Sequence, residues 1–174
     1  MPRGLAAGLL IAAAVPPWGW WPAAFIGLAL LDRLVADRPL SSRFRRGLLV
    51  GAAWAFPSTV WMLDLTPVGW LAAGLLHAGW LGLAAAAVPP GRWRRLGLVG
   101  TVTLAELGRW SVPFGGAPLA SIALGQAGGP LAPIVRIAGP LLLVALTVAV
   151  GMGLSALFDG RRADSASAAT GAVV

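Results

Sequence analysis

The chain has no cysteine and no lysine. Without cysteine there is no disulfide, no thiolate metal site and no thiol nucleophile. Without lysine, all 13 basic residues are arginine. Tyrosine is absent as well, and only 11% of the residues are charged. A soluble domain of this size needs far more polar surface. With 58% hydrophobic residues and a mean hydropathy of +0.82, the natural solvent of the chain is a bilayer. Nine tryptophans without a tyrosine agree, because the indole ring favours the membrane interface. The all-arginine bias, with abundant alanine and glycine, fits a GC-rich bacterial genome. No metal ion and no cofactor is expected.

The net charge of +7 raises the question of nucleic acid. The arginines answer it by position: they cluster at 43–46, 92–95 and 161–162, in short breaks between apolar runs, and do not stripe one surface. Loops of that kind face the cytoplasm, so no nucleic-acid partner is expected.

Apolar runs fall at 4–15, 20–36, 47–63, 68–88, 96–112 and 133–158. The fourth has no charge and is long enough to cross a hydrocarbon core of roughly 30 Å. The first is too short to span alone and is followed by "VPPWGWW", so 4–36 reads as a helical hairpin with Pro16, Pro17 and the tryptophans at the outer interface. A cleaved signal peptide is the rival reading of 1–15, with Pro16 and Pro17 placed to impede cleavage. The expected fold is an all-α, polytopic membrane bundle of about six segments. Both termini are cytoplasmic, the Arg-rich loops 37–46 and 89–95 are inside, and 113–132 is outside. Residues 1–158 form one membrane domain, and the polar tail 159–174 is expected to be disordered. The localisation that follows is a bacterial plasma membrane, crossed several times.

Glu106, the single glutamate, falls inside the fifth apolar run. An ionisable group at that depth faces protein or a water-filled cavity. Arg109 follows at i+3 on the same helical face. One reading is an ion pair that orients the helix. The other is a polar pocket opening outward, where Arg109, Arg136 and Gln126 around Glu106 hold a phospholipid headgroup by its phosphate. His77, the single histidine, has no cysteine or nearby carboxylate and reads as an interhelical hydrogen-bonding residue rather than a metal ligand. Ser58 and Ser155 lie in apolar runs, but their context does not mark either as a nucleophile. The glycines of "GWLAAGLLHAGWLG" read mainly as close-packing positions.

Three blocks then fall in order: "PPWGWWPAAFIGLALL", "RRGLLVGAAWAFPSTVWML" and "AELGRWSVPFGGAPLASIALGQAGGPLAPIVRIAGPLLLVAL". Together they resemble the N-terminal membrane domain of bacterial apolipoprotein N-acyltransferase over about residues 5–157, in the manner of actinobacterial versions. The last block carries most of the likeness, with an E-x-x-R pair at Glu106 and Arg109, a turn at Gly115, Gly116 and Pro118, and Gln126 before a proline. The resemblance implies that the uncharged 113–130 loop lies on the outer face, against an extracytoplasmic catalytic domain and beside the lipid entry path. In that family a nitrilase-like domain with a Glu–Lys–Cys triad takes an acyl chain from phospholipid as a thioester. It then passes the chain to the N-terminal amine of a lipoprotein. This sequence has neither Cys nor Lys, and it stops where the family begins a further membrane helix. Leu119 and Leu124 stand where the family favours aromatic residues, and Arg136 where it favours an uncharged one.

Three functions are therefore open. The chain is a membrane module of lipoprotein N-acylation, with phospholipid, a lipoprotein and a nitrilase-like domain on a separate chain as partners. Alternatively it is a truncated, inactive paralogue. Or it is a small lipid-binding or transport protein built on Glu106. Catalysis by these residues alone has no nucleophile to rest on.

Overall fold

A computed structural model describes residues 1–112, 116 and 118–171, with side chains through Gly160. Among the described residues the chain is helical throughout: α1 (Pro2–Ala14), α2 (Trp21–Val35), α3 (Leu40–Ser58), α4 (Pro67–Ala87), α5 (Arg94–Arg109), the single turn α6 (Ile122–Gly125) and α7 (Val135–Gly171). Each of the six apolar runs becomes a helix. Prolines sit in the first turn of α1, α2 and α4, where the missing N–H has no intrahelical partner to lose. Thr66 caps α4, its hydroxyl oxygen accepting from the amide of Gly69 at 3.1 Å. By length and composition, α4 and the stretch Ala132–Gly160 are long and apolar enough to cross a membrane.

Packing runs in a closed circuit: α1 against α2, α2 against α7, α7 against α5, α5 against α4, α4 against α3, and α3 back against α1. Ala7, Ile11, Leu28, Val50, Leu98 and Val148 meet in its core. Helix α1 is thus an integral wall of the bundle, although its thirteen residues make it only about 20 Å long. Two close approaches need glycine. A Cβ on Gly8 would stand 2.3 Å from the Val50 carbonyl oxygen, and one on Gly47 2.7 Å from that of Leu81. Within the glycine-rich α4, Gly74 lies under the Phe56 ring, whereas Gly79 faces open space.

Three boundaries differ from the sequence reading. Helix α3 starts at Leu40, so Arg43, Arg45 and Arg46 lie in its first turns and not in a loop. Helix α5 likewise takes in Arg94 and Arg95. Arginine is a good helix former, and hydropathy marks where a helix is apolar, not where its hydrogen bonds begin. The third difference is a break inside α7, where Ala138 and Gly139 (φ 73°) leave helical geometry just before Pro140, which has no N–H to donate. Helix α7 runs to Gly171, and residues 172–174 lie outside those described.

The apolar core holds several polar side chains, and large apolar side chains also cover part of the outside. Leu71, Leu75 and Leu83 on α4 and Leu96 and Leu104 on α5 point outward and are exposed, while Asp32, His77, Glu106, Arg109, Gln126 and Thr147 are buried.

Candidate functional site

Two buried carboxylates mark the two ends of the bundle. Glu106 and Arg109 occupy the last turn of α5, 2% and 3% exposed. Arg109 Nη2 donates to Glu106 Oε1 at 2.8 Å. The other carboxylate oxygen, Oε2, accepts from Ser121 Oγ at 2.8 Å, and the backbone N–H of Ile122 also reaches this carboxylate. Ser121 caps α6 as well, its Oγ accepting from the amide of Ala123. Arg109 Nη2 further reaches the Leu119 carbonyl at 3.4 Å, and the guanidinium lies 4.8 Å from the centre of the Trp54 ring. One ion pair thereby pins α5, α3 and the chain that follows α5. The Leu119 contact uses the backbone, so leucine in place of an aromatic does not disturb it.

That following chain is shaped by Gly116. Its φ is +93°, and a Cβ there would fall 1.9 Å from the Trp110 carbonyl oxygen, so no other residue fits. Pro118 is exposed, and Gly115 lies outside the described residues. Fully buried Gln126 donates from Nε2 to the Trp21 carbonyl at 3.0 Å, fastening the same segment to the start of α2. The side-chain oxygen Oε1 of the same residue is buried without a hydrogen-bond partner. Arg136, in the first turn of α7, is exposed and takes no part in the hydrogen bonds around Glu106.

The structure therefore joins Glu106 to Arg109, gives Gln126 a separate bond and leaves Arg136 apart. The space beside the ion pair, bounded by Trp54, His77, Trp80 and Val102, is about 10 Å³, room for at most one water. The contacts of Arg109 are to Glu106, the Leu119 carbonyl and the Trp54 ring. A larger apolar groove of about 310 Å³ opens at the same end between Leu9, Ala13, Trp18, Trp20 and Pro57.

The opposite end is built on Asp32, which the sequence reading passed over although it, too, is a carboxylate inside an apolar run. Asp32 is fully buried. Arg94 donates to it from Nε at 2.6 Å and from Nη2 at 3.3 Å, Arg95 from Nε at 3.1 Å, and Ser155 from Oγ at 2.8 Å. Arg33 and Arg95 both pair with Asp159. These bonds tie α2, α5 and α7 together and give Ser155 a structural partner. Ser58 donates to the Trp54 carbonyl within α3. Following the chain up and down the bundle, Arg3, Arg33, Arg38, Arg43, Arg45, Arg46, Arg92, Arg94 and Arg95 gather at the Asp32 end. Among the arginines whose side chains are described, only Arg109 and Arg136 lie toward the other.

The family model described as the apolipoprotein N-acyltransferase N-terminal domain matches residues 7–153. The match runs from within α1 to about the middle of α7, with Asp32, Glu106, Arg109, Gln126 and Arg136 all inside it. That family is membrane-associated, in keeping with the two long apolar helices. On the strength of a match over most of its length, this chain belongs to the apolipoprotein N-acyltransferase N-terminal domain family.

Proposed function

We propose that this chain is a six-segment module of the bacterial plasma membrane, with both termini and the Asp32 end on the cytoplasmic side. It serves lipoprotein N-acylation without supplying the nucleophile. In this reading it offers membrane phospholipid, and a firm outer platform, to a nitrilase-like catalytic domain that is not among these 174 residues. That domain acylates a lipoprotein. The absence of Cys and Lys supports the division of labour, since a thioester needs a thiol.

The observation that carries the proposal is the Glu106–Arg109–Ser121 clamp. It fixes the uncharged outer segment against the bundle at the end opposite the arginines. The exposed leucines of α4 and α5 are the surface that hydrocarbon covers, and the charge asymmetry supports the orientation. Glu106 is held by two side chains and a backbone amide, an arrangement suited to a fixed strut rather than to a carboxylate that relays protons, which weighs against transport. The phospholipid acyl chains have the apolar groove beside Trp18 and Trp20 as their nearest recess.

The test is affinity purification of the tagged chain from its native membrane, with mass spectrometry of bound proteins and lipids. A stoichiometric protein with a nitrilase-like Glu–Lys–Cys triad, whose cysteine carries a phospholipid-derived acyl thioester, is the expected result. A solitary chain with only bulk lipid would contradict the proposal and favour the inactive paralogue.

A further inference from the structure

The arginines at the Asp32 end fall into two groups. Arg33, Arg94 and Arg95 are in ion pairs with Asp32 and Asp159. Arg43 and Arg46 are held by neutral groups. Arg43 Nη1 donates to the Val88 carbonyl at the end of α4. Arg46 Nη1 donates to the Leu34 carbonyl near the end of α2 at 3.1 Å, and its Nε to Ser42 Oγ at 3.1 Å. Neither is in an ion pair among the described residues.

Fixing two guanidinium groups against carbonyls leaves their charge uncompensated. Both side chains are half-buried, and the Arg43 Nε is buried without a hydrogen-bond partner. They stand at i and i+3 on α3, so the two are neighbours on one face of the helix. A planar guanidinium pair with remaining donors matches the oxygens of a phosphate, and charge-assisted bonds there are stronger than in open water. Exposed Arg45 and Arg38 add positive potential at the same end.

We propose that the inner end of α3 is a headgroup site for an anionic phospholipid of the cytoplasmic leaflet, with Arg43 and Arg46 as its phosphate-binding pair. The inference rests on the membrane reading above. The bound lipid sits at the opposite face from the acyl-transfer chemistry and anchors α2, α3 and α4 through the carbonyls that position the two arginines.

The experiment places the full chain in nanodiscs of equal phosphatidylglycerol and phosphatidylcholine, then counts retained lipids by native mass spectrometry after mild detergent release. The wild type retains phosphatidylglycerol in excess. The double variant Arg43→Gln, Arg46→Gln loses that excess by roughly ten- to thirty-fold, given the usual strength of two basic contacts near a membrane surface. The equally discharged Arg38→Gln, Arg45→Gln variant, whose side chains are exposed and not held against carbonyls, loses clearly less. Equal loss in the two variants overturns the site in favour of diffuse attraction. Where the first variant loses its near-ultraviolet circular dichroism, Arg43→Lys, Arg46→Lys decides: reduced excess with an intact spectrum supports the site, and unchanged excess overturns it. Displacement of the lipid by millimolar inorganic phosphate overturns the lipid assignment in favour of a free anion. A chain that does not insert into nanodiscs refutes the membrane reading itself, whereas insertion without phosphatidylglycerol excess refutes this site alone.

Discussion

Glu106 and Asp32 are both buried carboxylates that bind helices together, yet their surroundings differ in kind. Glu106 meets one guanidinium, Arg109, and both are sealed in protein. Asp32 meets two, Arg94 and Arg95, whose side chains are 17% and 33% exposed, and the chain of contacts continues to half-exposed Asp159. The Glu106 pair is a closed one-to-one neutralisation. The Asp32 network has a spare cation and a way out to water. Removing a partner from the first strands a whole charge in an apolar interior, while the second can rearrange and rehydrate. The Glu106 clamp is therefore the brittle element, and the Asp32 knot the tolerant one.

The largest expected effect follows from breaking the closed pair. Glu106→Ala leaves Arg109 buried and uncompensated and should lower stability by about 3–5 kcal/mol. Thermal unfolding in detergent would register this, and the double variant Glu106→Leu, Arg109→Met should recover most of the loss. If the double variant is no better than the single, charge burial is not what makes the site costly to break. Asp32→Asn comes next, at about 1.5–3 kcal/mol for weakened hydrogen bonds to charged groups. Its deficit should shrink as salt is raised, because Arg95 and Asp159 are within reach of solvent. A deficit equal to that of Glu106→Ala and insensitive to salt would erase the distinction between the two ends. Ser121→Ala is the smallest, about 1 kcal/mol, since Glu106 keeps Arg109 and loses one neutral donor. Limited proteolysis should find the segment around Leu119 cut faster in that variant, with the Asp32 end unaffected.

Much of this was legible in the sequence because hydropathy registers what the bilayer demands. Six apolar runs gave six helices, and the i, i+3 spacing of Glu106 and Arg109 was enough to foresee their pairing. Helix starts at Leu40 and Arg94 were missed because an arginine at an interface can be helical without being apolar. Ser121 as a partner of Glu106 could not be read, since the chain between them folds back through a turn whose geometry depends on Gly116. Arg136 was grouped with Glu106 on proximity in sequence to the outer loop, and its side chain is exposed elsewhere on α7. Asp32 carried a readable signal that went unused: a carboxylate in an apolar run with an arginine cluster at the same end of the bundle.

The absence of cysteine makes the central claim, that the arginine end and the clamp end lie on opposite sides of a membrane, directly measurable. Single cysteines at exposed positions, Ser41→Cys beside the arginines and Asp64→Cys or Ala127→Cys at the other end, can be probed in whole cells with a membrane-impermeant maleimide. The account predicts labelling of positions 64 and 127 in intact cells and of position 41 only after permeabilisation. Labelling of all three from one side, or of position 41 alone in intact cells, would contradict it.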